Sequence, residues 1–455
     1  MSQNPVTRAG GKHGLARKEK RDPIGIAVLA LNKLAQSPFL DKLNMRKPAE
    51  EVIYQATRSG FKIASSAGRA FAKKGTKGAP GVSTPKATGS GLFDLTPTED
   101  EQMLVDVVTE FAAEAVRPVA AEANEAAQTP IEVLGATLEI GLPILGVADE
   151  LGGIAETRSA VAGTLVHEAL AKGDMGIAVA ALAPGAVATA LSLWGTDEQQ
   201  KTYLPAFTEA QNVPAAALAL TESAVLFDVF KPKTTAERKG DKLVLNGEKT
   251  LVPRGKDAEL FIIGAQLEGK NVLVIVESGV EGLSVEADPA MGLKAASLTK
   301  IHLENVTVDA DQILGATDGS TYTEAVRNSR LAWCALSLGT GQAVLEYVTE
   351  YVKTREAFGE PIAYRQAVAF MVANIAIELQ AMRLVTYKAA SRVARGVDAS
   401  RELGLARKLC ADKGMQIGLD GVQLLGGHGF TKEHPVERWY RDLRAIGILE
   451  GGVLV

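Results

Sequence analysis

Cysteines and clustered metal ligands are scarce in this sequence. Its 455 residues contain two cysteines, Cys334 and Cys410, and five histidines scattered along the chain. The two cysteines are far apart in helix-like apolar patterns, so a disulfide framework and a metal centre of closely spaced ligands are both excluded. We expect two small core thiols and a reducing compartment.

Long apolar runs and common nucleotide-binding motifs are missing too. The longest apolar run, residues 24–31, is far shorter than the ~18–20 residues that cross a bilayer, and it lacks the features of a signal peptide. No Gly-x-Ser-x-Gly elbow or phosphate loop occurs, and "GTGQAV" at 339–344 lacks the third glycine of a dinucleotide fingerprint. We expect no membrane-spanning segment, and a location in the cytoplasm or, in a eukaryote, the mitochondrial matrix.

Acidic residues are scarce at the N-terminus. Residues 1–90 contain 17 Lys and Arg and 5 Asp and Glu, a net charge of +12. Because the whole chain has a net charge of −5, the remaining residues have a net charge of −17. We assign residues 1–91 to a basic extension with helical patterns near 22–38 and 48–74 and a Ser/Thr/Gly/Pro-rich linker. Three roles stay open: a solvated appendage on the body, a peripheral membrane or partner contact through 22–75, or an organellar presequence.

The segment 92–211 is predicted to be an all-α domain. "LTPTEDEQ" at 95–102 contains Thr96 as an N-cap, followed by proline and acidic residues, which is typical of a helix start. Helical periodicity continues to about 210, with expected breaks at Arg117-Pro118, Gly152-Gly153 and Pro184-Gly185.

The hydrophobic period then changes twice. "KLVLNGEKTLV" at 242–252 predicts a hairpin that turns at Asn246-Gly247, and short β-rich runs follow it, so 212–315 is expected to be a compact antiparallel domain. Long helical patterns at 325–355, 366–396 and 400–425 predict an antiparallel bundle within 316–455.

Two C-terminal phrases carry a resemblance. Arg-x-x-Phe-Gly-x-Pro-Ile stands at 355–362, and Gln-x-x-Gly-Gly-x-Gly-Phe at 423–430 is followed by Tyr-Arg-Asp at 440–442 and Leu-Glu-Gly at 449–451. With the α, β, α order, they make the chain resemble the acyl-CoA dehydrogenase family from about residue 92 to its end. The resemblance implies an α+β multidomain fold: an N-terminal all-α domain, a central β-barrel-like domain and a C-terminal four-helix bundle. It also implies a dimer of dimers that binds FAD between subunits.

The resemblance also implies the FAD-binding residues. Arg355 offers a planar fork of donors to a diphosphate, and the paired glycines let backbone approach it without a Cβ. Taken alone, Arg355 could be a surface ion pair and the glycines a helix C-cap. The residues implied to bind FAD are Leu220, Thr221, Arg355, Phe358, Gln366, Gln423, Gly426 and Gly427.

By the same resemblance, Glu450 is the catalytic base. It would take the α-proton of an acyl thioester while a hydride leaves the β-carbon, and burial would raise its basicity. Some relatives carry this glutamate at the position of Ser329, which cannot serve. Arg330 and Gly451 are implied to contact the substrate, and the alternative for Glu450 is a solvated tail carboxylate.

The sequence departs from the family pattern where the flavin ring is expected. Leu226 and Phe227 replace a Gly-Ser pair, Leu251 and Pro253 replace an aromatic residue and a hydroxyl residue, and the chain ends soon after Glu450. The first hypothesis is FAD-dependent α,β-dehydrogenation of a fatty acyl-CoA, with electrons passed to an electron-transferring flavoprotein. The alternatives are a flavin-poor structural subunit beside an active paralogue, and an acyl-CoA oxidase.

Overall fold

The structure is a computed structural model that describes residues 97–154, 158–210 and 212–452. The described chain passes from helices through one large sheet to a second set of helices, as the change in hydrophobic period predicted. The basic extension 1–91, its two helical patterns and Thr96 lie outside the described residues.

The N-terminal helices are, with their bounds, α1 Glu99–Phe111, α2 Arg117–Ala126, α3 Ile131–Glu139, α4 Ala160–Gly173, α5 Met175–Trp194, α6 Asp197–Tyr203 and α7 Pro205–Thr208. Thr98, not Thr96, caps α1, because its side chain accepts from the Glu101 N–H while the Glu101 carboxylate accepts from the Thr98 N–H.

Two of the three expected helix breaks are wrong. A π-helical turn, Ala112–Val116, runs directly into α2, where Pro118 occupies the first turn and its missing N–H costs little. The core helix α5 continues through Pro184. The break at Gly152 is confirmed, since this glycine ends a 3₁₀ turn with φ of +90°.

The central sheet contains β1 Ala216–Ala219, β2 Thr235–Lys239, β3 Lys242–Val252, β4 Leu260–Leu267, β5 Lys270–Glu277, β6 Leu283–Ala287, β7 Thr299–Asp309 and β8 Ile313–Leu314. Its order is β6-β7-β3-β2-β4-β5-β8, with β1 also paired to β4. The sheet is mixed, because β1 and β2 both run parallel to β4 while the other pairings are antiparallel.

The hairpin expected at Asn246-Gly247 is wrong. Strand β3 runs straight through these residues, and its register against β7 shifts between Leu245 and Gly247, which marks a β-bulge. A Cβ on Gly247 would lie 2.5 Å from the Thr234 hydroxyl, so the glycine serves close packing. The hairpin turn lies instead between Lys239 and Lys242.

The C-terminal helices confirm the predicted bundle. They are α8 Ser320–Thr354, α9 Gln366–Ala394, α10 Ser400–Leu425 and the short α11 Val436–Leu443, and a small hairpin of β9 Glu356–Ala357 and β10 Glu360–Pro361 joins α8 to α9. Helix α8 packs on α4, α9 and α10, so it links the two helical layers. Cys334 and Cys410 are buried and free, as expected.

Among the described residues, two helices are long and apolar enough to cross a membrane by length and composition alone, whereas none was expected from the sequence. Helix α5 is a core helix, with 72% of its most apolar window buried in the fold. In α9 only 17% of that window is buried, so much of an apolar helix faces outward. Within the described ranges, no group of three or more His, Cys, Asp or Glu side chains is placed to hold a metal ion.

Candidate active site

The end of the described chain folds back into the protein. Glu450 is 8% exposed and has φ of +51°, a left-handed conformation that is uncommon for a residue other than glycine. Its N–H donates to the Thr221 hydroxyl at 3.1 Å. The Gly452 N–H donates to the Phe227 carbonyl at 2.8 Å, so the tail lies against the loop that follows β1.

Two arginines hold this turn by its carbonyl groups. Arg330 donates from Nε and Nη2 to the Glu450 carbonyl at 3.2 and 2.7 Å. Arg407 donates from Nη2 to the carbonyls of Leu449, at 2.7 Å, and Gly451. Gly451 has φ of +96° and a Cβ there would lie 3.0 Å from the Phe227 carbonyl oxygen, so the turn requires glycine.

The Glu450 carboxyl group is buried, and burial has the largest effect on its pKa. Burial raises its pKa, while Arg407, a hydrogen bond from Ser329, Arg330 and a hydrogen bond from Trp333 act in the opposite direction. Its Oε2 atom is buried without a hydrogen-bond partner among the described residues. A carboxylate in this state favours taking up a proton, and the solvated-tail alternative does not describe it.

Thr221 is held in place by a buried ion pair. Lys249 is fully buried and donates to the neighbouring Glu222 carboxylate at 2.8 Å and to the Leu220 carbonyl at 3.4 Å. Burial lowers the pKa of Lys249 to about 8, and Glu222 acts in the opposite direction. The Thr250 N–H donates to the Thr221 carbonyl at 3.0 Å, so strand β3 fixes the residue that receives the Glu450 N–H.

A cavity of about 170 Å³ lies next to Ser329, one residue away from the Glu450 side chain. Helices α4, α5 and α8 and the turn at 142–146 form most of its walls, and Ser329, which hydrogen-bonds Glu450, lies on one wall. A wider groove of about 1,030 Å³ runs past the start of α8 and shares Asn328 with the cavity. Its charged lining residues are the basic Lys231, Lys270 and Arg327 and the acidic Asp318, Glu324 and Asp398.

The other predicted residues form a second, exposed surface. The Ile362 N–H donates to the Arg355 carbonyl at 2.9 Å, which brings the start of α9 back to the end of α8. Tyr351 and His428 Nδ1 are hydrogen-bonded at 3.0 Å, which joins the same end of α8 to the 3₁₀ turn Gly426–Phe430. The residues exposed here are Arg355, Phe358, Gln366, Gln423, Gly426 and Gly427.

This surface fits a flavin dinucleotide at its diphosphate. The Arg355 guanidinium has no hydrogen bond or ion pair within the described chain, and a Cβ on Gly426 or Gly427 would meet open space. Phe358 is 96% exposed, an apolar surface that a ligand or a second subunit would cover. Gly426 is also the C-cap of α10, so the helix-cap reading of this glycine holds as well.

The bulky replacements near the expected flavin ring are accommodated. The Phe227 side chain packs into an apolar cluster with Val229 and Tyr322. Leu226 adopts φ of +54°, the region that a glycine there would favour, and is 59% exposed. Neither side chain adds a polar donor. On this side of the site, Thr221 and backbone groups are therefore the groups available to hydrogen-bond a ligand.

Three neighbours of Glu450 were missed from the sequence. Arg407 and Trp333 belong to no motif, and Ser329 was set aside because it cannot act as a base. A usable signal for Arg407 was its place among the inward apolar positions of α10, where a charged residue requires a partner.

Three family models match the chain: the acyl-CoA dehydrogenase N-terminal domain at 98–211, the middle domain at 217–306 and the C-terminal domain at 319–452. A 3-(aryl)acrylate reductase of Clostridium sporogenes is 31% identical over 78% of this chain and 95% of its own. The butyryl-CoA dehydrogenase of Megasphaera elsdenii is 25% identical, with a TM-score of 0.73 over 80% of this chain and 97% of its own. A chain in the solved electron-transferring flavoprotein of Acidaminococcus fermentans is 29% identical, with the same TM-score and coverage.

Proposed function

Because the chain belongs to the acyl-CoA dehydrogenase family, FAD-dependent oxidoreductases that act on CH–CH groups, we propose that it dehydrogenates an acyl-CoA between its α- and β-carbons. The observation that carries this proposal is the buried Glu450 carboxylate, which has one unpartnered oxygen among the described residues and is hydrogen-bonded by Ser329, a residue on the wall of the cavity. A thioester whose α-carbon reaches that oxygen would lose its α-proton to it.

The tail geometry supports Glu450 as the base. Arg330 and Arg407 bind three successive carbonyls, which fixes the direction of the carboxylate at a backbone conformation that is costly for glutamate. Arg330 thus acts first as a positioning residue, and its contact with substrate remains a prediction. Gly451 supplies the turn that aims Glu450 inward.

FAD, when bound, supplies the acceptor for the hydride from the β-carbon. Arg355 would pair with its diphosphate, Gly426 and Gly427 would admit it closely, and Gln366, Gln423 and Phe358 would flank it. Leu220 and Thr221 would lie on the ring side. The Thr221 hydroxyl accepts from the Glu450 N–H and keeps its own proton to donate.

The cavity and the groove together suit an acyl-CoA. The cavity would take the acyl group. In the groove, whose acidic and basic lining residues are equal in number, Lys231, Lys270 and Arg327 would donate to the coenzyme's phosphates. Since Asn328 borders both spaces, a thioester passing from one to the other would run beside Ser329, which hydrogen-bonds Glu450. The cavity is smaller than the ~300–1,000 Å³ of common small-molecule sites, which supports a short acyl group.

We further propose that an electron-transferring flavoprotein accepts the electrons. The support for this partner is that the solved structure of the electron-transferring flavoprotein of Acidaminococcus fermentans includes a chain similar to this one. The flavin-poor subunit and the oxidase are not favoured, because the relatives are named as dehydrogenases and a reductase.

The test is anaerobic titration of the purified yellow protein with butyryl-CoA. Wild-type flavin absorbance should bleach, whereas Glu450→Gln should keep its FAD and lose at least ~99% of the bleaching rate, since one proton-transfer group contributes about 10²–10⁴-fold. Glu433→Gln, an exposed glutamate in the same region, is the matched control. Normal bleaching by Glu450→Gln would overturn the assignment of the base, and protein that cannot be reconstituted with FAD would overturn the activity. Rapid reoxidation by air would indicate an oxidase.

A further inference from the structure

The cavity next to Ser329 has one charged side chain on its wall, Arg158. Among the described residues, no acidic side chain lines the cavity. Within the described residues Arg158 makes no hydrogen bond or ion pair. Burial lowers its pKa, and the only charged group that acts in the opposite direction is Glu324.

Other polar side chains of the cavity are already satisfied. Ser159 caps α4 and donates to Glu101 at 2.8 Å, Thr164 donates to the Ala160 carbonyl at 2.7 Å, and Thr189 donates to the Gly185 carbonyl at 2.6 Å. His167 uses Nδ1 toward the Gly163 carbonyl at 2.5 Å. Burial lowers the pKa of His167 and Arg158 acts in the same direction, so a neutral ring at His167 adds no second positive charge to the cavity.

A second donor is unpaired in the same place. The Asn328 Nδ2 atom is buried without a partner among the described residues, and Asn328 lines the cavity. Arg158 and Asn328 therefore line the same cavity. Glu324, the acid that acts on Arg158, lies one helical turn before Asn328 on α8. Ser329, the next residue, hydrogen-bonds Glu450.

An unsubstituted alkyl chain would leave both donors desolvated and unpaired, which is costly. A carboxylate on the acyl group would pair with Arg158 and accept from Asn328. We propose that the substrate is the coenzyme A monothioester of a short dicarboxylic acid, with its free carboxylate bound by Arg158 and Asn328. This inference rests on the proposed dehydrogenation, since it names the substrate class of that same site.

The test compares succinyl-, glutaryl- and adipyl-CoA with neutral thioesters of equal length that end in an isopropyl group instead of the carboxylate. In the holoenzyme, we expect kcat/KM to favour at least one acidic thioester over its neutral partner by about tenfold or more. Arg158→Gln should abolish or reverse this ratio, and Arg158→Lys should restore part of it. Arg401→Gln, which removes an exposed charge elsewhere, should keep the wild-type ratio.

Binding to the Glu450→Gln holoenzyme, measured by calorimetry, separates this inference from the proposed function. The same preference for acidic thioesters should appear there without turnover, and it should be lost in Glu450→Gln/Arg158→Gln. Bleaching by neutral thioesters, with no acidic preference in rate or affinity, would overturn the dicarboxylate inference and leave dehydrogenation standing. Tight, Arg158-dependent binding of an acidic thioester without bleaching would support the site while contradicting the activity.

Discussion

At the scale of single residues, the buried Glu450 carboxyl group has a cost to stability. Its pKa is raised in the folded state by burial, so the folded protein binds this proton more tightly than the unfolded chain does. Relative to a neutral side chain, the ionised group therefore destabilises the fold as pH rises above the unfolded pKa of about 4.3. In the proposed mechanism, catalysis depends on this destabilised state, because the same burial makes the carboxylate more basic.

Glu450→Gln should accordingly unfold at a higher temperature than wild type at pH 8. The gain should be on the order of 1–3 kcal/mol, the cost of a buried unsatisfied group, and it should shrink as pH falls toward 5. Thermal unfolding monitored by circular dichroism at both pH values measures it, with Glu433→Gln as reference. If Glu450→Gln instead unfolded at a lower temperature than wild type by the same amount at both pH values, glutamine would disrupt the turn and burial of the carboxylate would have no measurable cost to stability.

Arg407 provides a second prediction for a single residue. Arg407→Leu removes the donor of the Leu449 and Gly451 carbonyls and the charge that holds the Glu450 pKa down. We expect kcat to fall at least about tenfold with FAD retained. The acidic limb of the kcat–pH profile should move to higher pH, which general loosening of the structure would not cause. An unshifted profile would contradict an electrostatic role for Arg407.

Motifs predicted the site only where side chains carry a recognisable spacing. Glu450, Arg355 and the glycine pair were proposed as site residues because they stand in recurrent phrases. Arg407 was not, because its partners are backbone carbonyls that leave no trace in the sequence. Arg158 was missed for a different reason, since a lone arginine before a helix is ordinarily a surface residue and only the folded cavity shows that it is enclosed.

At the scale of elements, hydrophobic period predicted helix lengths better than turn chemistry predicted turns. The 3.6-residue pattern placed α8, α9 and α10 within a few residues of their bounds. Asn246-Gly247 has the composition of a hairpin turn, yet Gly247 is needed for packing against Thr234 within a continuous strand. The turn preference of Asn-Gly stabilises the chain less than the pairing of β3 with β7 on either side of the bulge does.

The contact of α11 with α5 predicts a pH-dependent stability. Arg438 donates to Asp174, the N-cap of α5, at 2.9 Å, and Asp442 accepts from the Leu293 N–H at 2.6 Å. Burial and then the neighbouring Asp174 raise the pKa of Asp442 to about 7. Because this folded pKa is above the unfolded value of about 3.9, the contribution of Asp442 to stability falls as pH rises between the two.

Asp442→Asn keeps the acceptor for Leu293 and removes the titration. Its free energy of unfolding should therefore depend less on pH between 4 and 7 than that of wild type, and it should be the more stable protein at pH 8. Urea unfolding at pH 5 and pH 8 measures both quantities, with the exposed Asp412→Asn on α10 as control. An unchanged pH slope would show that Asp442 does not titrate in this window.

At the scale of the whole molecule, the exposed apolar face of α9 calls for a partner. Phe370, Ile377 and Leu384 recur every seven residues along it and are 59%, 65% and 44% exposed. The order of helices and sheet followed from the change in hydrophobic period, but this unpartnered face could not be predicted, because a helix buried within one chain has the same composition. We propose that α9 packs against other copies of the chain, as in the homotetramers typical of the family.

The exposed FAD surface begins where α9 begins, so assembly and cofactor retention should fail together. Ile377→Glu places a charge in the proposed contact, and we expect a smaller oligomer by light scattering and a lower flavin-to-protein ratio after gel filtration at micromolar concentration. Arg355 is exposed and has no partner within the described chain. We therefore expect a neighbouring subunit to cover a diphosphate bound at Arg355. Ile131→Glu, at a residue 60% exposed on α3, should change neither measurement. A dissociated Ile377→Glu protein that retains full FAD would show that one chain completes the cofactor site alone.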